Sequence, residues 1–173
     1  FEINEAVRLA KDYPDIVKII AVGNEAMVHW AWSYHVPPKF VLKWVKYLQE
    51  LKASGDLNDD LWITSSDNFA SWGGGSDDYH NDDLDELIVS VDFVSMHTYA
   101  FHDTHYNPIF WNLESIPENS DKQDTIKQAM KRSIDYELNQ FNSVKKYVHE
   151  IDPSKEVHIG ETGWSSVASD LYG

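Results

Sequence analysis

The chain has 173 residues, 42% of them hydrophobic and 25% charged, a mixture that supports a packed core and excludes disorder as its main state. The 14 Lys and Arg stand against 29 Asp and Glu, and a net charge of −15 repels the phosphate backbone that a nucleic-acid binder has to attract. Cys is absent, which excludes a disulfide framework, a thiolate nucleophile and Cys-ligated zinc or iron–sulfur clusters. No apolar run reaches the length of about eighteen residues needed to span a membrane, and the first residues lack the layout of a signal peptide.

In chain order, Ile3, Ala6, Val7, Ala10 and Tyr13 recur at helical spacing and stop before Pro14. Residues 16–22 then form a β-branched run ending at Gly23, which reads as a buried strand. Pro37 and Pro38 open a helix whose stripe is Phe40, Val41, Trp44, Val45, Leu48 and Leu51, with Gly55 past its end. Residues 61–65 read as a second strand, followed by a Gly/Ser/Asp-rich loop and a short helix around Leu84, Leu87 and Ile88. Residues 93–96 form a third strand continuing to Tyr99, and a long loop runs from there to Asp124. A long helix from Thr125 to His149 carries Ile126, Met130, Ile134, Leu138, Phe141 and Val148 as its stripe, and residues 157–159 form the fourth strand, ending at Gly160. By position, Trp44 and Trp62 are expected in the core.

Short apolar strands separated by helices pair in parallel, either as an open doubly wound sheet or as a (β/α)8 barrel. A barrel needs about 250 residues and eight strands, so on that reading the chain is a middle piece. Phe1 enters directly into a helix and Gly173 follows the last strand closely; the expectation is that further strands come from the same polypeptide or another chain. The acidic run Asp77, Asp78, Asp82, Asp83, Asp85 and Glu86 lacks the alternating oxygen spacing and central Gly of a calcium loop and reads as a solvated helix start.

Two glutamates differ from the other acids. Glu25 follows the first strand in Val22-Gly23-Asn24-Glu25, and Glu161 follows the fourth in Gly160-Glu161-Thr162-Gly163-Trp164. The carboxyl ends of parallel strands are where α/β proteins build their sites. One carboxyl group kept protonated and a second kept ionised across the same space is the equipment of glycoside hydrolysis. The 7 Trp and 9 Tyr suit a ligand with flat apolar faces and many hydroxyls, such as a sugar.

Together these segments, with Ser165 and Ser166 after the second, resemble the two catalytic signatures of glycoside hydrolase family 17, the retaining β-1,3-glucanases and related transglycosylases. The resemblance implies a (β/α)8 barrel in which the whole chain, residues 1–173, is one partial catalytic domain supplying strands four to seven. It implies Glu25 as general acid/base and Glu161 as nucleophile, about 5 to 5.5 Å apart as retention requires. Asn24 would hold the 2-hydroxyl of the reacting sugar, and Trp164 would stack on a ring; Asn68, Trp72, His97, Tyr99 and Phe101 complete the candidate substrate contacts. The segment His97-Thr98-Tyr99-Ala100-Phe101 departs from the Asn, Tyr and Pro usual at the sixth strand, and Ser165 stands where many members have Pro. The substrate implied is a laminarin-like or callose-like β-1,3-glucan, with no cofactor and no metal, in a secreted, periplasmic or cell-surface setting. Three alternatives remain: a β-1,3-glucanosyltransferase on the same site, as the resemblance implies; a non-catalytic carbohydrate-binding protein, from the aromatic content; and a metal-dependent barrel hydrolase, from the clustering of His97, His102, Asp103 and His105.

Overall fold

A computed structural model describes residues 2–112 and 121–164. The elements run α1 (Glu2–Asp12), β1 (Ile19–Asn24), α2 (Pro38–Ala53), β2 (Trp62–Asn68), α3 (Asp82–Ser90), β3 (Val94–His97), α4 (Pro108–Trp111), α5 (Lys122–Ile151) and β4 (Val157–Glu161). All strand pairs are parallel and the order is β1-β2-β3-β4. Because the order never reverses, these strands contain no switch point of the kind that defines a doubly wound sheet.

The register follows from side-chain size and polarity. Ile20 pairs with Ile63, and both point into the layer between sheet and helices, where Val41, Val45, Leu48, Leu84, Leu87 and Ile88 enclose them. On the opposite face of the sheet lie Trp62, Ser66, Ser95 and Gly160. Helices α2 and α3 pack against each other over the sheet, and Asn81 caps α3 by accepting from the Leu84 N–H at 3.0 Å. Asp82, Asp83 and Asp85 lie in the first turn of that helix, where acidic groups complement its dipole. Among the described residues, no helix is long and apolar enough to cross a membrane.

Two expectations are corrected. Trp44 and Trp62 are 38% and 45% exposed instead of buried; Trp62 lies on the face away from Ile63, its ring 5.4 Å from that of Phe93. The buried face of α5 follows the stripe of large apolar residues only in its second half, where Val148 is buried and Phe141 packs against the core. Ile126, Ile134 and Leu138 are exposed, and Ala129, Ser133, Gln140, Val144 and Val148 face inward. The reason is what α5 covers: its first half lies on the loop after β3, so Ser133 donates to the Ala100 carbonyl and Gln140 donates to Asp103 at 3.0 Å. Its second half meets a tight π-type turn at Ala70–Gly74, where Gly73 admits the Tyr147 ring so closely that a Cβ there would lie 2.2 Å from it.

Candidate active site

The end of β1 is irregular, and that irregularity aims Glu25. Pairing with β2 shifts between Ala21 and Asn24, Gly23 has φ 88° and Glu25 has φ 46°. A left-handed backbone costs a non-glycine residue roughly 1–2 kcal/mol, so something has to hold it. The Glu25 N–H donates to the Ser66 carbonyl at 2.9 Å, and two residues on, the Met27 N–H donates to the buried Asp67 carboxylate at 2.9 Å. Burial pushes the Asp67 carboxyl above the usual aspartate range, and the backbone N–H groups of Met27, Asn68 and Ala26 pull against that shift. Met27, Val28 and Ala31 then bury the loop that follows, and Val36 N–H closes it on the Ala26 carbonyl at 2.7 Å.

Glu161 arrives from the opposite edge of the sheet. Between the two edges stands His97, the last residue of β3 and 1% exposed. Its Nδ1 is 3.1 Å from Glu25 Oε1 and 2.8 Å from Glu161 Oε2. On the other side of the ring, Nε2 lies 2.7 Å from the Ser66 hydroxyl, which is 3.0 Å from the Ser95 hydroxyl. With Ser66 donating to Nε2, the remaining ring hydrogen is on Nδ1 and is aligned on Glu25 Oε1, while Glu161 Oε2 lies close to the same nitrogen off that line. The Tyr99 phenol donates to Glu161; burial first, then that hydrogen bond, push it up to about 12. One ligand atom from each of Glu25, His97 and Glu161 lies within 4.8 Å of the others, a spacing that could hold a metal ion; the His97–Glu25 hydrogen bond and the close His97–Glu161 contact draw the three together without one.

These groups open onto a cleft of about 790 Å³ lined by Glu25, Asn68, Tyr99, Phe101, Gly163 and Trp164 among others. Phe101 and Trp164 stand with ring centres 5.8 Å apart, and Trp111 meets Trp164 edge-on at 6.2 Å. Trp30 also lines the cleft, whereas Trp32 is 88% exposed. Asn24 is exposed at the end of β1, next to Glu25. Two substrate-contact expectations are corrected. Trp72 is fully buried in the core, its indole N–H donating to the Ser95 carbonyl at 2.9 Å, and cannot touch a ligand. His97 is buried behind the carboxylates and reaches the cleft through them. The loop residues His102 and His105 pack against each other with ring centres 5.7 Å apart, and Asp103 accepts from Gln140, so these groups do not converge with His97. Ser165 and Ser166 lie outside the described residues, as does part of the loop leading to Asp124.

Sequence reasoning missed Asp67, the serine pair, and Tyr136 and Gln140, which α5 contributes to the cleft wall four residues apart. The signal for Ser66 and Asp67 is the polar run of residues 64–68 at the carboxyl end of β2, too polar for a strand that only fills a core; Tyr136 and Gln140 carry no such local signal.

A crystal structure of an endo-laminarinase from Formosa Hel1_33_131 matches 99% of this chain at 55% sequence identity, with a TM-score of 0.94. The chain spans 44% of that protein's length. No protein-family model and no curated protein sequence matches it.

Proposed function

We propose that the chain carries the catalytic centre of a retaining β-1,3-glucan hydrolase of glycoside hydrolase family 17, built on a (β/α)8 barrel of which these are strands four to seven. The observation that carries the reading is the meeting of two glutamates from opposite edges of one parallel sheet, with ligand atoms within 4.8 Å, at the floor of an aromatic-walled cleft. Likeness to an endo-laminarinase at 55% identity supports the substrate class.

In this mechanism Glu161, oriented by Tyr99 and His97, attacks the anomeric carbon. Glu25 protonates the departing glycosidic oxygen, giving a covalent glycosyl-enzyme. Water then replaces the ester, with Glu25 taking its proton. A close carboxylate pair favours this double displacement, because inversion needs about 6.5 to 9.5 Å to seat a water between the groups. Trp164, Phe101, Tyr99, Asn68 and Asn24 contact the glucan, and no metal or organic cofactor has a step to perform. The resemblance to glycoside hydrolase family 17 supports a secreted, periplasmic or cell-surface setting.

The test is Glu161→Gln in the intact protein, assayed by reducing sugar released from laminarin and by the anomer first formed in the proton NMR spectrum. Activity at the limit of detection for the variant and initial β-anomer from the wild type are expected. Substantial residual hydrolysis, or initial α-anomer, overturns the assignment.

A further inference from the structure

The two carboxylates swap charge during the proposed cycle, and His97 is placed to follow them. Double displacement starts with the negative charge on Glu161 and the proton on Glu25; once the sugar is attached, Glu161 is a neutral ester and Glu25 is the anion. Both oxygens lie close to the same His97 nitrogen: Glu161 Oε2 is nearer, at 2.8 Å, while the 3.1 Å contact to Glu25 Oε1 is the one aligned as a hydrogen bond, so a small tilt of the ring decides which carboxylate receives the hydrogen. A hydrogen bond to an ionised acceptor is roughly twice as strong as one to a neutral acceptor. An ester oxygen is therefore a poor partner compared with a freshly ionised Glu25.

Resting on the double-displacement reading, we propose that His97 is a positioning residue whose Nδ1 hydrogen is shared in turn, bonding Glu161 before glycosylation and Glu25 after it. No covalent bond of the histidine changes. In the first step the Glu161 oxygen–carbon bond forms, the glycosidic bond breaks and the Glu25 proton leaves on the departing oxygen. The Nδ1–H then turns to Glu25 and supports it as the base. In the second step the water oxygen–carbon bond forms, the ester bond breaks, the water proton returns to Glu25, and the Nδ1–H returns to Glu161. The fold supplies what such a pivot needs. The ring is 1% exposed, so water does not compete for the hydrogen; carboxylate oxygens on the Nδ1 side call for a donor there, and the Ser66 hydroxyl, backed by Ser95, is able to donate to Nε2 in return. The pivot sits on β3, between the strands that bear the two glutamates, so one small tilt serves both.

The experiment compares wild type, His97→Asn and His97→Leu of the intact protein on 2,4-dinitrophenyl β-laminaribioside, whose leaving group needs no acid. Asn keeps a donor on the same side-chain carbon; Leu keeps volume without a donor. For His97→Leu the expected result is a fall in kcat of about ten- to hundredfold, the range of one charge-assisted hydrogen bond. A lower KM and accumulation of covalent glycosyl-enzyme in quenched samples by mass spectrometry should accompany it, with at least tenfold of the loss recovered by His97→Asn. Wild-type kcat in His97→Leu overturns the proposal, as does a raised KM with no accumulation and no recovery by Asn. If His97→Leu does not fold, the pair His97→Asn and His97→Gln gives the same contrast, because Gln sets its donor one bond further out. Initial α-anomer from the wild type overturns the double-displacement reading itself; initial β-anomer with an indifferent His97→Leu overturns the pivot alone.

Discussion

Gly160, immediately before the proposed nucleophile, has no room for a side chain. A Cβ built on it would lie 2.0 Å from the Ser95 hydroxyl oxygen, 3.3 Å from that of Ser66 and 3.4 Å from the Ser95 Cβ. Carbon atoms rest at about 3.5–4.0 Å, so Gly160→Ala forces Ser95 to another rotamer, or pushes β4 away from β3, or both. Ser95 is 5% exposed, and rotating its hydroxyl breaks the 3.0 Å contact with Ser66. Overpacking of this kind costs about 1–3 kcal/mol, and the lost hydrogen bond adds about 1 kcal/mol. The expected destabilisation of the intact protein is therefore about 2–4 kcal/mol, read as a lower denaturant midpoint at unchanged m-value. Because Ser66 holds Nε2 of His97, kcat should fall with stability. A second change sharpens the test: Ser95→Gly removes the obstructing atom, so Gly160→Ala combined with Ser95→Gly should be more stable than the sum of the single changes by about 1–3 kcal/mol. A Gly160→Ala protein with wild-type midpoint and kcat, or a double variant with no such coupling, would refute the packing argument.

Two further expectations separate site from scaffold. Tyr99→Phe removes the donor to Glu161 and should lower kcat with little change in KM. Its pH signature has a definite sign: the folded-state phenol is raised from 10 to about 12, so its contribution to stability is full below pH 10 and is lost as pH rises through about 12. Tyr99→Phe should flatten denaturant stability across that window, and equal slopes in both proteins would sink the idea. Trp72→Phe and Trp164→Ala should behave in opposite ways. The first leaves a buried Ser95 carbonyl without its indole donor and is expected to cost about 1–3 kcal/mol of stability with KM unmoved. The second, at a half-exposed indole in the cleft wall, is expected to raise KM for laminarin severalfold and to change stability by about 0.5 kcal/mol or less.

The strands and helices were legible because each announces itself over a few neighbouring residues: the β-branched run before Gly23, the Pro37-Pro38 start of α2, the apolar run before Gly160. The two glutamates were legible because they follow such runs. Trp72 misled because its local setting, a Gly/Ser-rich stretch after a strand, describes a loop rim; only the arrival of Val144 and Tyr147 from α5, some seventy residues later, encloses it. The α5 stripe misled for a related reason. Periodicity finds where large apolar residues lie, but this helix covers a polar loop, and its inward face is chosen by hydrogen bonds from Ser133 and Gln140. His97 carried the wrong role because nothing in sequence says whether a strand-end histidine points at solvent or at two carboxylates.

The placement of those carboxylates has a consequence for the shape of the sheet. Neighbouring strands lie about 4.8 Å apart, so in a flat sheet β1 and β4 would stand roughly 14 Å from each other and β2 and β4 roughly 10 Å. Yet a Cβ on Gly160 of β4 would come within 3.3 Å of the Ser66 hydroxyl on β2, and Glu25 and Glu161 share one histidine nitrogen. The sheet is therefore strongly curled, with Ser66, Ser95, His97 and Gly160 on its concave face. Curling crowds that face at the level of Ser66, Ser95 and Gly160, which explains the small residues there; Trp62 lies on the same face nearer the start of β2, its ring beside that of Phe93. Small residues below and one buried histidine above make the floor on which side chains from the two outer strands meet. Replacing any of them with a larger apolar residue would improve local hydrophobicity and open the sheet, parting the two glutamates that the curl brings together.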